Sequence, residues 1–114
     1  MSDCIFCKIA KGEIPSKKVY EDDKVLAFYD IEPAAPVHVL VIPKNHIGSI
    51  NEINNENSSI VAHIFEVINK IVVELNIADT GYRVVSNCGD QGGQTVGHLH
   101  FHLLGGRNLA WPPG

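Results

Sequence analysis

The stretch Gly97-His98-Leu99-His100-Phe101-His102-Leu103-Leu104 alternates imidazole and apolar side chains with a period of two. That is the repeat of an extended strand, and it puts His98, His100 and His102 on one face and Leu99, Phe101 and Leu103 on the other. Three of the chain's six histidines fall in these five residues. Neighbouring imidazoles repel when all are charged, so some must be neutral. A neutral imidazole offers one bare nitrogen and one N–H, the equipment of a nucleophile, a general base or a metal ligand. Just before the strand, Gly89-Asp90-Gln91-Gly92-Gly93-Gln94-Thr95 is a glycine-rich loop whose backbone can approach an anion closely. Loop and strand together read as a phosphate site facing candidate nucleophiles.

The remaining chain supplies a frame for that strand. Lys18-Val19-Tyr20 and Val25 to Tyr29 read as a hairpin closed by the polar turn Glu21 to Lys24, Ile31 to Pro36 as a loop, and Val37 to Ile42 as a buried strand stopped by Pro43. Ile60, Ile64, Val67, Ile68, Ile71 and Leu75 recur at helical spacing, which predicts one long amphipathic helix over 58–76, N-capped by Asn57 or Ser58, with His63 on its polar side. Lys8 to Gly12 permits a short helix, Tyr82 to Ser86 a further strand, and Cys88 to Gln94 a loop. The expected architecture is an α+β domain over residues 1–114: about five mostly antiparallel strands, with one long and one short helix on one side of the sheet. With 114 residues a second domain has no room, and self-association would help to bury a core.

Charge and cysteine usage narrow the function. Lys and Arg total 9 against 13 Asp and Glu, a net charge of -4 with no basic run, which argues against a general nucleic-acid binder and leaves single nucleotides open. The start Met1-Ser2-Asp3-Cys4 has no leader pattern and no apolar run reaches membrane length, so a cytoplasmic protein without a membrane partner is expected. Cys4 and Cys7 stand at C-x-x-C spacing, which in a reducing compartment suggests metal or redox chemistry, with Cys88 a plain thiol.

Gly93 to Arg107 resembles the signature of the histidine triad (HIT) superfamily. The likeness extends to Cys4-Ile5-Phe6-Cys7-Lys8-Ile9, Asp30-Ile31-Glu32-Pro33, His38 to Lys44, and the ending Trp111-Pro112-Pro113-Gly114. That ending is similar to the Hint branch of purine nucleoside phosphoramidases. The resemblance implies hydrolysis of the bond between an AMP or GMP α-phosphate and an amine through a nucleotidyl-histidine on His100, whose Nδ1–H would donate to the His98 carbonyl. It gives His102 a hydrogen bond to a phosphate oxygen and Thr95 a part in stabilising charge. His38 would orient the site; its apolar flanks alone read as a satisfied core histidine. The purine pocket would be Ile5, Phe6, Ile9, Phe28 and Ile31, which on composition alone are ordinary core. Asp30 would hold the ribose, and Asn87 and Gln94 the phosphate or sugar side. Gly97 and Gln91 depart from the eukaryotic Hint pattern, which bears on leaving-group preference.

The resemblance also completes a metal site. Two thiolates need two more donors for a closed tetrahedron, and His46 and His98 match the positions used by zinc-carrying relatives. Such a zinc would be structural. A homodimer is implied as well, joined through the long helix and a sheet edge, with Trp111 reaching toward the partner's site. Two other functions fit the same residues: hydrolysis of dinucleoside polyphosphates, and a nucleotide-binding interaction protein with weak catalysis.

Overall fold

The structure, a computed structural model, describes residues 3–114; Met1 and Ser2, part of the start read above as having no leader pattern, lie outside the described residues. In chain order it contains α1 (Ile5–Ala10), β1 (Lys18–Glu21), β2 (Val25–Tyr29), β3 (Val37–Pro43), a 3-10 turn (Ile50–Glu52), α2 (Ser59–Glu74), β4 (Tyr82–Val85), α3 (Gly89–Gly92) and β5 (Phe101–Gly105). The five strands form one antiparallel sheet in the order β1-β2-β3-β5-β4. The α+β class and the single long helix agree with the sequence.

The β1–β2 hairpin closes because Asp22 Oδ1 accepts the N–H groups of Lys24 and Val25, both at 2.8 Å. Burial opposes ionisation of Asp22, but those amides, together with His63 and Tyr20, hold its carboxyl well below the usual range. His63, expected at the surface, places Nε2 2.7 Å from Asp22 Oδ2 and so ties α2 to the hairpin.

Strands β2 and β3 are buried on both faces. Val25, Ala27, Val39 and Val41 join Leu99, Phe101 and Leu103 under the Ile64, Val67, Ile68, Ile71 and Val72 face of α2. Leu26, Phe28, Leu40 and Ile42 project the other way, against Phe6 and Ile9 of α1. The helices therefore sit on opposite faces, a correction to the one-sided layer expected. Uninterrupted apolar runs are the mark of strands covered on both sides.

Three boundaries differ from expectation. Helix α1 begins at Ile5 rather than Lys8, because the Cys4 thiol caps it by accepting the Cys7 N–H at 3.4 Å. Part of the glycine loop winds into the single turn α3, closed at Gly93 with φ 82°. The β5 ladder begins at Phe101 rather than Gly97. Proline at 43 has no N–H with which to continue the ladder, so Leu99 N–H donates to Ile47 O at 2.6 Å and the His98 ring donates to Pro43 O at 2.8 Å. The side-chain alternation still runs through 98–104.

Candidate active site and metal cluster

The α1 face of the sheet carries the triad. Leu40 pairs with His102 and His38 with Leu104 across β3 and β5, so His38 and His102 are diagonal neighbours on that face. His98 and His100 precede the ladder; both are buried, at 0% and 4% exposure, and Phe6 sets its ring edge-on to each, 6.0 and 5.1 Å between centroids. The partners that the ring nitrogens find at this depth fix the tautomers.

His100 Nδ1 lies 2.7 Å from the His98 carbonyl oxygen, which only accepts, so Nδ1 bears the proton and Nε2 the lone pair. Ser86, at the end of β4, donates its hydroxyl to the His100 carbonyl at 2.9 Å and fixes the same backbone. His38 Nδ1 accepts the Ala34 N–H at 2.9 Å, so its proton is on Nε2, which donates to His102 Nδ1 at 2.9 Å. His102 must then carry its proton on Nε2. The Asp30 carboxylate, 3.4 Å from His38 Nε2, favours this direction. Burial, with His100 and His38 nearby, pushes His102 down to about 4 against the pull of Asp30. Burial lowers His38 too, and Asp30 partly offsets it. Near neutral pH the pair are uncharged hydrogen-bond donors.

A cavity of about 480 Å³ opens beside these rings. Ile5, Phe6, Ile9, Phe28, Asp30, Ile31, Thr95, His100 and His102 all line it. Ile31 is 95% exposed and stands at the rim. Asn87 and Gln94 are not part of the lining. The Gln94 amide is committed to the loop instead: its Nε2 donates to Gly48 O and Val96 O, each at 2.9 Å, and its Oε1 accepts the Gly89 N–H at 3.0 Å. Residues unforeseen from sequence also contribute, among them Ser16, Lys17, Tyr29, Leu40 and Val96. Ser16 Oγ is buried with no protein partner among the described residues. Leu40, two residues from His38 on the same strand, carried a sequence signal through strand alternation, and Val96 lay within the Gly93 to Arg107 signature.

Behind the triad, Cys4, Cys7, His46 and His98 bring their ligand atoms within 4.8 Å of one another. His98 Nδ1 lies 3.3 Å from Cys4 Sγ, 3.5 Å from Cys7 Sγ and 3.2 Å from His46 Nδ1, and Cys7 Sγ lies 3.2 Å from His46 Nδ1. A tetrahedral ion with bonds of ~2.3 Å to sulfur and ~2.0 Å to nitrogen sets its ligand atoms ~3.3 to 3.8 Å apart, the same scale. The tautomer agrees as well. His98 donates Nε2–H to Pro43 O, which leaves Nδ1 bare toward the thiols, the arrangement that orients a metal-binding imidazole. These four residues are close enough to hold a metal.

The described residues contain no helix long and apolar enough to cross a membrane. Residues 3–109 match the family model described as scavenger mRNA decapping enzyme C-term binding. Among solved structures, a histidine triad protein from Clostridium difficile is 57% identical, covers 96% of each chain and superposes with a TM-score of 0.94. A HIT family hydrolase from Legionella pneumophila is 50% identical over 98% of this chain and 100% of that one, with a TM-score of 0.96. A HIT-like protein of Synechococcus elongatus is 52% identical over 112 residues, 98% of this chain and 97% of the relative. Family match, fold and the geometry of the three rings agree, and the chain belongs to the histidine triad family.

Proposed function

We propose that the protein is a purine nucleoside 5'-phosphoramidase, hydrolysing the bond between the α-phosphate of AMP or GMP and an amine. The observation that carries the reading is the 2.7 Å bond from His100 Nδ1–H to the His98 carbonyl, which fixes a bare Nε2 on a ring lining the cavity. In the first step His100 Nε2 bonds to phosphorus as the P–N bond breaks. The electron pair leaves on the amine, which takes a proton from solvent. The ring keeps its Nδ1–H, and the His98 carbonyl stabilises the positive charge it acquires. In the second step water attacks phosphorus, the P–Nε2 bond breaks, a proton is released and neutral His100 returns. Splitting one difficult displacement into two easier ones is the gain of covalent catalysis.

The neighbours act electrostatically. His102 Nε2–H donates to a nonbridging phosphate oxygen, and Thr95 stabilises charge on the same group. His38 holds the His102 tautomer. Phe6, Ile9 and Phe28 pack against the purine, and Asp30 accepts from the ribose hydroxyls. Cys4, Cys7, His46 and His98 would hold a structural zinc; with all four ligands supplied by the protein, it would contribute rigidity and fasten α1 and its pocket residues to the triad segment. The thiols suit a reducing, cytoplasmic setting. Ile50, 43% exposed, lines a second, apolar hollow with Ile53, Val61, Ala62 and Phe101, and Phe65, 44% exposed, sets its ring 5.5 Å from that of Phe101, a face suited to a second copy of the chain.

The test is a continuous assay with an adenosine 5'-phosphoramidate bearing a fluorescent amine, with a dinucleoside polyphosphate in parallel. Release by the wild type, and loss on the order of a thousand-fold or more in His100→Ala, is the expected result. Turnover of the polyphosphate alone would assign the site to the other substrate class. No turnover of either, with nucleotide still bound, would make this an interaction protein.

A further inference from the structure

The Gly105-Gly106-Arg107 end of the triad segment has no part in the chemistry above, yet it grips the loop beside His38. Gly106 adopts φ +89°, and a Cβ there would stand 2.8 Å from Pro36 Cβ and 3.4 Å from Val37 N. Glycine is what lets the end of β5 lie against this loop. One residue on, Arg107 Nη2 donates to Ala34 O at 2.9 Å while Nη1 donates to Asn108 O at 3.0 Å. Ala34 is exposed, but its own N–H is the group that occupies His38 Nδ1. A surface residue thus decides which nitrogen of a buried ring, 6% exposed, is bare.

We propose that Arg107 is a positioning residue: by holding Ala34 it fixes the tautomer of His38 and, through the His38–His102 bond, the tautomer of His102. The inference rests on the reading of His102 as phosphate donor. If the Ala34 N–H draws back, His38 can carry its proton on Nδ1 and accept at Nε2. His102 then donates from Nδ1, and its Nε2 meets the phosphate as a lone pair against a negative oxygen. The whole chain of donors reverses. Asp30, 3.4 Å from His38 Nε2, opposes the reversal from one side and Ala34 from the other. A guanidinium suits the task because its planar fork reaches two carbonyls in one fixed geometry, which an ammonium does not.

The experiment uses the full chain labelled with 15N-histidine, as wild type, Arg107→Met and Arg107→Lys. The Met variant keeps the apolar stem and removes every donor. Long-range 1H–15N spectra distinguish protonated from bare ring nitrogens. The wild type should give Nε2–H at His38 and His102 and Nδ1–H at His100. In Arg107→Met, His38 and His102 should shift together toward Nδ1–H while His100 stays. Phosphoramidate turnover should fall roughly three- to ten-fold, following the fraction of correctly protonated sites. Arg107→Lys, with one donor to offer Ala34, should recover part of both signals. A folded Arg107→Met protein with unchanged His38 and His102 tautomers would overturn the proposal. A wild type inactive on phosphoramidate would instead overturn the proposed function, and the tautomer comparison would still decide the role of Arg107.

Discussion

Removing the zinc proposed at Cys4, Cys7, His46 and His98 should cost the fold several kcal/mol, about 4 on the cross-link model. Cys7 and His46 are 39 residues apart, and His46 and His98 are 52 apart. Treated as a cross-link, closure of the 39-residue segment alone removes unfolded-chain entropy worth about 4 kcal/mol at 25 °C, and the longer closure is worth slightly more on its own. The closures share one ion and do not add in full, so about 4 kcal/mol is the working figure. For 114 residues, unfolding entropy of ~2.1 cal/mol/K per residue makes that a fall of about 17 °C in Tm. The assay is differential scanning calorimetry on protein of measured zinc content, before and after chelation, with Cys7→Ser as the genetic equivalent. Chelated wild type and untreated Cys7→Ser should melt at similar temperatures. A zinc-containing protein whose Tm moves by less than about 3 °C on chelation would refute the cross-link reasoning. It would mean that packing of Phe6 and Ile9 on the sheet holds α1 unaided.

Two further outcomes follow from the site. Because burial lowers His102 from 6.5 to about 4, the unfolded chain binds the proton more readily than the folded one. Stability is therefore intact above pH 6.5 and declines as pH falls toward 4, by about 2 kcal/mol from this ring after allowance for solvent; urea unfolding at two pH values should show it, and His102→Gln should flatten the slope. Gly106→Ala forces a side chain into positive φ and against Pro36, so it should destabilise the fold by about 2 to 4 kcal/mol; a thermal melt within a degree or two of wild type would contradict that reading.

The sequence disclosed features governed by period and missed those governed by partners. Alternation placed the three imidazoles opposite Leu99, Phe101 and Leu103, and the structure keeps that division even where the ladder is absent. The i, i+3, i+4 repeat disclosed α2 within two residues of its ends. The two-faced burial of β2 and β3 was also present in the text, as unbroken apolar runs, and the one-sided helix layer overlooked it. Other features depend on contacts between distant segments. The start of α1 depends on a thiol acting as a cap, and the first residue of the β5 ladder depends on which donors are left facing Pro43. Gln94, a short polar side chain beside the triad, resembled a phosphate ligand, but its amide spans Gly89, Gly48 and Val96 as a loop brace. The tautomer relay from Ala34 through His38 to His102 is legible only in three dimensions, since one of its two links runs from loop to strand and the other from β3 to β5.

The most direct measurement is intact-mass analysis of protein mixed with excess nucleoside 5'-phosphoramidate and quenched in alkali within milliseconds, since phosphorus–nitrogen bonds to histidine break in acid. Nucleophilic catalysis with a slow second step gives a nucleotidyl adduct that accumulates before steady state, maps to His100 and is absent from His100→Ala. Product formed at full rate with no adduct at any time point, or an adduct on another residue, would contradict it.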